Sequence, residues 1–174
     1  KGFHEFLIPL PGGAFLFKSL TAFNRNDLLY SMVRQEDYPS YGHMLNKGAT
    51  TLWEDWEGKL SRCHSSYLHL GAWFIEGLAG IQPGPEGKGY QDFILRPGVW
   101  EGCPIEWVNA RFQSPFGTIE SRWRRESQGY RYEFLVPPNT TATAAVPLKD
   151  TSAVSLNGQP LMVTRPAPAR GPAR

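Results

Sequence analysis

Residues 66–85 read Ser66-Tyr67-Leu68-His69-Leu70-Gly71-Ala72-Trp73-Phe74-Ile75-Glu76-Gly77-Leu78-Ala79-Gly80-Ile81-Gln82-Pro83-Gly84-Pro85, and the chain changes character across them. Tyr67, Leu70, Gly71, Phe74, Leu78 and Ile81 recur at the i, i+3, i+4, i+7 spacing of a helix, which predicts one over 66–81. Leu68, Ala72, Ile75 and Ala79 make its other side apolar too, the pattern of a helix buried against several neighbours. Ser65 or Ser66 can cap it, and Gln82-Pro83-Gly84-Pro85 ends it.

Upstream of this stretch the pattern stays helical, and residues 1 to about 83 form one half of the chain. Ala14–Phe23 carries Phe15, Leu16, Phe17, Leu20 and Phe23. After a turn at Asn24-Arg25-Asn26, Asp27–Val33 resumes with Leu28, Leu29, Met32 and Val33. This predicts an αα-hairpin, with Asn26 as the N-cap of its second helix. Residues 36–64 hold Pro39, Gly42, Gly48 and Gly58 without a clear period and read as a long irregular connection. Its aromatics, Tyr38, Tyr41, Trp53 and Trp56, argue for an ordered, functional loop.

From about residue 90 the period becomes two. Val108, Ala110 and Phe112 oppose Trp107, Asn109 and Arg111; Ile119, Ser121 and Trp123 oppose Thr118, Glu120, Arg122 and Arg124. Tyr130, Tyr132, Phe134 and Val136 follow, and Thr141–Pro147 resumes after Pro137-Pro138-Asn139. Ser114-Pro115-Phe116-Gly117 and Asn157-Gly158 are tight-turn signals. Short antiparallel strands with regular turns predict a β-sandwich. Residues 164–174, built from Pro, Ala, Arg, Gly and one Thr, are expected to be disordered.

The 174 residues are 41% apolar, enough for a core. The net charge of +2 comes from Arg165, Arg170 and Arg174 in the tail; without them 15 basic residues face 16 acidic ones. No basic stripe remains, which speaks against a nucleic-acid partner. No apolar run is long enough for a bilayer, so no membrane partner is expected. Cys63 and Cys103 are read as free thiols. His4, His43, His64 and His69 lack metal-ligand spacing, and there is no phosphate loop or nucleophile elbow. Neither a metal nor a cofactor is expected. Lys1 opens the chain without a Met, inside what reads as a packed element, so the C-terminal part of a longer protein is expected. The sequence assigns no oligomeric state and no compartment, bacterial cytoplasm and secretion both staying open.

The chemistry concentrates at Gly48-Ala49-Thr50-Thr51-Leu52-Trp53-Glu54-Asp55-Trp56. A carboxylate between two indoles suits sugar processing: the carboxylate activates water and flat rings stack on pyranose faces. Glu54 is a candidate general base whose pKa the indoles would raise; the competing reading is a surface carboxylate beside packed Trp residues. In an extended loop Glu54 and Asp55 point apart, so at most one faces a given cleft, and Asp55 and Glu57 are expected to be solvated. His64, just ahead of the expected helix start, would be neutral and able to donate to a hydroxyl; a purely structural His is the alternative. His69 is expected to be a satisfied core residue.

At these residues the chain resembles the bacterial α-L-rhamnosidases of glycoside hydrolase family 78, from about Gly13 to Pro147. Gly48–Trp56 is similar to the family's G-A-T-T-x-W-E-x-W segment. Arg25–Tyr30 and Tyr38-Pro39-Ser40-Tyr41-Gly42 are similar to its G-R-x-D-L-A-Y and Y-P-S-W-G stretches. Ser61–Ile81 resembles S-H-N-H followed by a helix ending A-W-F-x-x-x-L-A-G-I. Ser114–Gly117 and Pro137–Thr141 look like S-P-x-G and P-P-N-T-x-A.

The resemblance implies the last helices of an (α/α)6 catalytic barrel over 1–83, a C-terminal antiparallel β-sandwich over 84–163 and a tail over 164–174. It implies removal of terminal α-L-rhamnose with inversion, and so a rhamnose-containing glycan or glycoside as substrate. It further implies Glu54 as general base, His64 as a contact to rhamnose hydroxyls, and Trp53, Trp56 and Tyr41 lining or supporting the pocket. Inverting enzymes hold their acid and base roughly 6.5–9.5 Å apart. The family's acid lies in an earlier D-x-x-R-x-E segment that has no counterpart here. Arg62 and Cys63 stand where the pattern has His and Asn, and Tyr41 where it has Trp. The alternatives are a non-catalytic carbohydrate-binding or structural module and a related helical-barrel glycosidase of other sugar specificity.

Overall fold

The computed structural model describes residues 10–65, 67–86, 88–148 and 154–161. Ser66 and the 164–174 tail, for which a cap and disorder were expected, lie outside them. The fold is mixed α+β, helices first and sheets after. Helices α1 (Leu10–Ala22) and α2 (Asn26–Val33) form the expected hairpin. Asn24 turns the chain with φ 55, a left-handed conformation that Asn tolerates, and Arg25 N–H returns to Leu20 O at 2.7 Å.

Three expectations for the helical half are corrected. Asn26 does not cap α2: Arg25 occupies the cap position without a side-chain capping bond, and Asn26 is buried at 2% exposure. Its Oδ1 accepts the Trp73 indole N–H at 2.9 Å, so a distant tryptophan outcompetes the local backbone for it. The 36–64 connection contains a helix, α3 (Tyr41–Asn46), started by Ser40, whose buried Oγ accepts His43 N–H at 2.9 Å. Six residues are too few to display a period, and the cap alone marks it. The helix predicted over 66–81 is α4 (His69–Ala72) continued by a π-helical segment, Trp73–Leu78. The wider turn accommodates the Trp73 ring against Gly77, where a Cβ would come within 2.2 Å of it. Leu68 and Phe74 are 60% and 46% exposed, so the element is not buried on all sides.

The stop also differs from the expected Pro-Gly run. Gly80, at φ +74, ends the helical path, and a Cβ there would strike the Arg96 carbonyl at 2.0 Å. Ile81–Pro83 is already a strand, β1. It pairs antiparallel with β2 (Asp92–Leu95), which pairs with β6 (Thr141–Ala144). The β2–β6 pairing is parallel, against the all-antiparallel expectation, because Pro137–Thr140 returns the chain to the first sheet from the far side of a meander. That meander is β3 (Trp107–Ser114), β4 (Gly117–Glu126) and β5 (Gly129–Leu135), antiparallel throughout. β7 (Ser155–Leu156) and β8 (Gln159–Pro160) form the expected hairpin, with Asn157 and Gly158 at φ 51 and 78.

The predicted inward faces are the buried ones. Ile81, Phe93 and Leu95 of the first sheet pack with Ala110 and Ile119 of the second and with Ala79. A second cluster joins Phe17, Leu29, Trp73 and Leu78 in the helical half. Among the described residues, two buried side-chain bonds tie the halves together. Trp123 Nε1 donates to Leu78 O at 2.9 Å, and Ser121 Oγ donates to Ala79 O at 2.6 Å. Both cysteines are free thiols, Cys63 exposed and Cys103 buried.

Ser121 is fully buried. Ser121→Ala removes the donor from a buried carbonyl and is expected to lower the unfolding free energy by about 1–3 kcal/mol. Ser155→Ala, at an exposed position, should stay within about 0.5 kcal/mol. Denaturant midpoints of the two variants check the difference.

Candidate active site

The segment 51–64 folds back on itself. His64 N–H donates to Leu52 O at 2.9 Å and Glu54 N–H to Ser61 O at 2.8 Å. Thr51 Oγ1 donates to Arg62 O, and Arg62 Nε to Gly58 O at 3.1 Å. Trp53 goes into the core, 4% exposed, beside Met44 and Tyr67. Gly58, at φ +69, presses on its ring, and the Arg62 guanidinium lies 5.4 Å from that ring's centre. Trp53 is therefore a floor under the loop, buried beneath it rather than open to solvent.

Glu54 is part-buried, and its Oε2 accepts Ser61 N–H at 3.2 Å. Asp55, expected to be solvated, instead anchors the loop by accepting the N–H groups of Glu57 at 2.9 Å, Lys59 at 3.4 Å and Leu60 at 2.8 Å. These bonds, the one from Leu60 foremost, hold its carboxyl below the usual carboxylate range. Glu57 is exposed and pairs with Lys59. His64 is exposed, and α4 begins only at His69, so the helix-terminus argument for a neutral His64 lapses.

Beside this loop lies a cleft of about 550 Å³, counting its open mouth. Tyr41 and Trp56 line it, together with Phe17, Ser40, Tyr67 and His69 among others. Glu54, His64 and Trp53 are not among its lining residues. Trp56 stacks on Tyr67 with centroids 4.0 Å apart, and Tyr41 meets the Trp56 ring edge-on at 5.3 Å. Tyr41 Oη lies 3.2 Å from both Tyr67 O and His69 Nε2. The carbonyl can only accept, so the single phenolic proton goes there and His69 donates from Nε2.

His69 is half-buried, edge-on to Phe17 at 4.5 Å, and burial lowers its pKa below the ordinary His value. Burial raises that of Tyr41, with a smaller contribution from Tyr67. His69 and Tyr67 thus belong to the cleft wall, which helix periodicity could not reveal because it ranks positions only as inside or outside. No cluster of metal-ligating side chains occurs among the described residues. No helix among them is long and apolar enough to cross a membrane.

Two family models meet on this chain. The bacterial alpha-L-rhamnosidase 6 hairpin glycosidase domain matches residues 9–78, and the bacterial alpha-L-rhamnosidase C-terminal domain matches residues 80–159. An alpha-L-rhamnosidase of Streptomyces avermitilis is 33% identical over 143 residues, 76% of this chain and 14% of that protein. One from Formosa agariphila is 31% identical over 144 residues, 76% of this chain and 15% of its own length. The crystal structure of the Streptomyces avermitilis enzyme complexed with L-rhamnose superposes with a TM-score of 0.71 at 31% identity, covering 80% of this chain and 14% of that one. The chain belongs to the bacterial alpha-L-rhamnosidases, and it spans about one seventh of the length of these relatives.

A neutral, half-buried His69 contributes stability that is fully present above the unfolded His pKa of about 6.5 and is lost as pH falls toward the lower folded value. An NMR titration should place the His69 midpoint below about 6.5, with the Nε2-protonated tautomer at neutral pH. Tyr41→Phe should weaken that tautomer preference. A His69 midpoint at or above the ordinary value would contradict the burial of the ring.

Proposed function

We propose that this chain is the C-terminal part of an inverting α-L-rhamnosidase acting on rhamnose-containing glycans or glycosides. Its helical half would be the end of an (α/α)6 barrel and its strand half a C-terminal β-sandwich domain. The division expected near residue 83 then moves to Ala79–Gly80, because Ile81–Pro83 already pairs in a sheet. The observation that carries the reading is the junction of the two rhamnosidase models at 78–80, with W-E-x-W in the first of them.

In this reading Glu54 takes a proton from water as its oxygen attacks the anomeric carbon opposite the leaving group. The glycosidic oxygen leaves with a proton from a general acid, and the sugar is released with inverted configuration. That acid would come from outside this chain, so these 174 residues alone would be inactive. Phe15 on α1 and Phe23 in the turn after it support that view: they are 72% and 80% exposed, apolar surface that further barrel helices would cover. His64 would contact rhamnose hydroxyls, Tyr41 and Trp56 would form the pocket wall, and Trp53 would support the loop from beneath. The packing of both indoles, Trp53 in the core and Trp56 on Tyr67, disfavours a binding module built on them as free platforms.

In the full-length enzyme, Glu54→Gln should lower turnover of an aryl α-L-rhamnoside by about 10²–10⁴-fold while rhamnose affinity changes little. Turnover within a few-fold of wild type would sink the base assignment. His64→Ala should weaken rhamnose binding by about 10-fold in a calorimetric titration, the worth of a hydrogen bond or two. An unchanged affinity removes that contact.

A further inference from the structure

We propose that Asp55 is a positioning residue for Glu54, closing the turn whose next amide, Ser61 N–H, holds the Glu54 carboxylate. The inference rests on Glu54 being the general base. Asp55 Oδ1 accepts from Glu57 and Lys59, and Oδ2 accepts from Leu60 at 2.8 Å, so one carboxylate pins the backbone from 57 to 60. Leu60 is bonded directly to Ser61. Ser61 then grips Glu54 twice, its N–H donating to Oε2 at 3.2 Å and its carbonyl accepting Glu54 N–H at 2.8 Å. Fixing Leu60 fixes Ser61, and fixing Ser61 fixes both the backbone and the side chain of Glu54.

The other side of the turn is held by packing. Gly58 lies against the buried Trp53 ring, where a Cβ would come within 2.7 Å. Asp55 is thus the polar clamp of a loop whose apolar floor is Trp53. Asp suits the position because its short side chain reaches amides of its own turn, as in Asx-turns. The same bonds keep the carboxyl ionised below its ordinary pKa. The clamp is therefore present above the unfolded Asp pKa and released as pH falls through the lowered folded value. A base must sit within hydrogen-bond reach of its water, and a displacement of about 1 Å costs about 100-fold.

The test compares Asp55→Ala, Asp55→Asn and Glu54→Gln in the full-length enzyme, with kcat and KM on an aryl α-L-rhamnoside and backbone hydrogen exchange. Asp55→Ala is expected to lower kcat about 100-fold with KM within about 3-fold. Asp55→Asn retains one carbonyl acceptor and should lose about 10-fold, the equivalent of one hydrogen bond. Leu60 and Ser61 amides should exchange at least about 10-fold faster in Asp55→Ala, with β3–β5 protection unchanged. Should Asp55→Ala lose β3–β5 protection, Asp55→Asn decides on the same readouts.

An Asp55→Ala enzyme with kcat near wild type, beside an inactive Glu54→Gln, overturns the positioning role and leaves the base standing. A kcat loss with unchanged exchange at Leu60 and Ser61 overturns it too, since the loss then bypasses the turn. A KM effect with unchanged kcat does the same. Retained turnover in Glu54→Gln removes the base reading, and this inference falls with it.

Discussion

The carbonyls at the end of the helical half are the constraint on which the rest of the chain depends. A helix that stops in the interior leaves its last C=O groups without intrahelical partners, and burying them unpaired is costly. Here Leu78 O takes the Trp123 indole and the Gly98 N–H, and Ala79 O takes the Ser121 hydroxyl. The donors come from the middle of β4 and from the segment after β2. The helix end can therefore be buried only when the strand half is folded against it, which orients the two halves relative to each other. Gly80 makes the reversal possible, since its left-handed backbone passes within van der Waals reach of the Arg96 carbonyl.

A parallel logic holds the candidate active-site loop. Trp53 is drawn into a core of Met44 and Tyr67, which fixes the floor, and the backbone above it is closed by bonds among Leu52, Glu54, Ser61 and His64. Apolar packing sets where the loop lies, and hydrogen bonds set its shape. The neighbouring cleft is built differently, from rings: Trp56 on Tyr67, Tyr41 edge-on to Trp56, and Phe17 against His69. Tyr41 links two elements of this wall, its hydroxyl bonded to Tyr67 O and to His69. The wall is thus largely aromatic.

The strands were readable because alternation is a local property. Val108, Ala110 and Phe112, or Ile119, Ser121 and Trp123, declare their inward face within six residues. Asn157-Gly158 declares its turn in two. The helical half was less readable. Its periodicity located α1, α2 and the 69–78 element, but not the π-helical widening at Trp73, which answers to Gly77 and to Asn26 on another helix. The parallel β2–β6 pair was unreadable for a related reason: partners about fifty residues apart carry no local mark of direction. At the site, Tyr41 and Trp56 were named from the sequence. His69 and the anchoring role of Asp55 were not, since both are defined by what folds beside them.

By itself, then, the sequence determined the order of helices before sheets, the inward face of each long strand, the tight turns, and the motifs that mark the family. Each of these is encoded within a few residues by periodicity, backbone preference or residue identity. Only the tertiary structure decided which way Trp53 turned, what Asn26 and Asp55 hold, where the helix stops, and which rings wall the cleft. Those outcomes are contests between a local partner and a distant one. The distant partner wins when burial makes an unpaired polar group, or an uncovered ring, costlier than the local bond forgone.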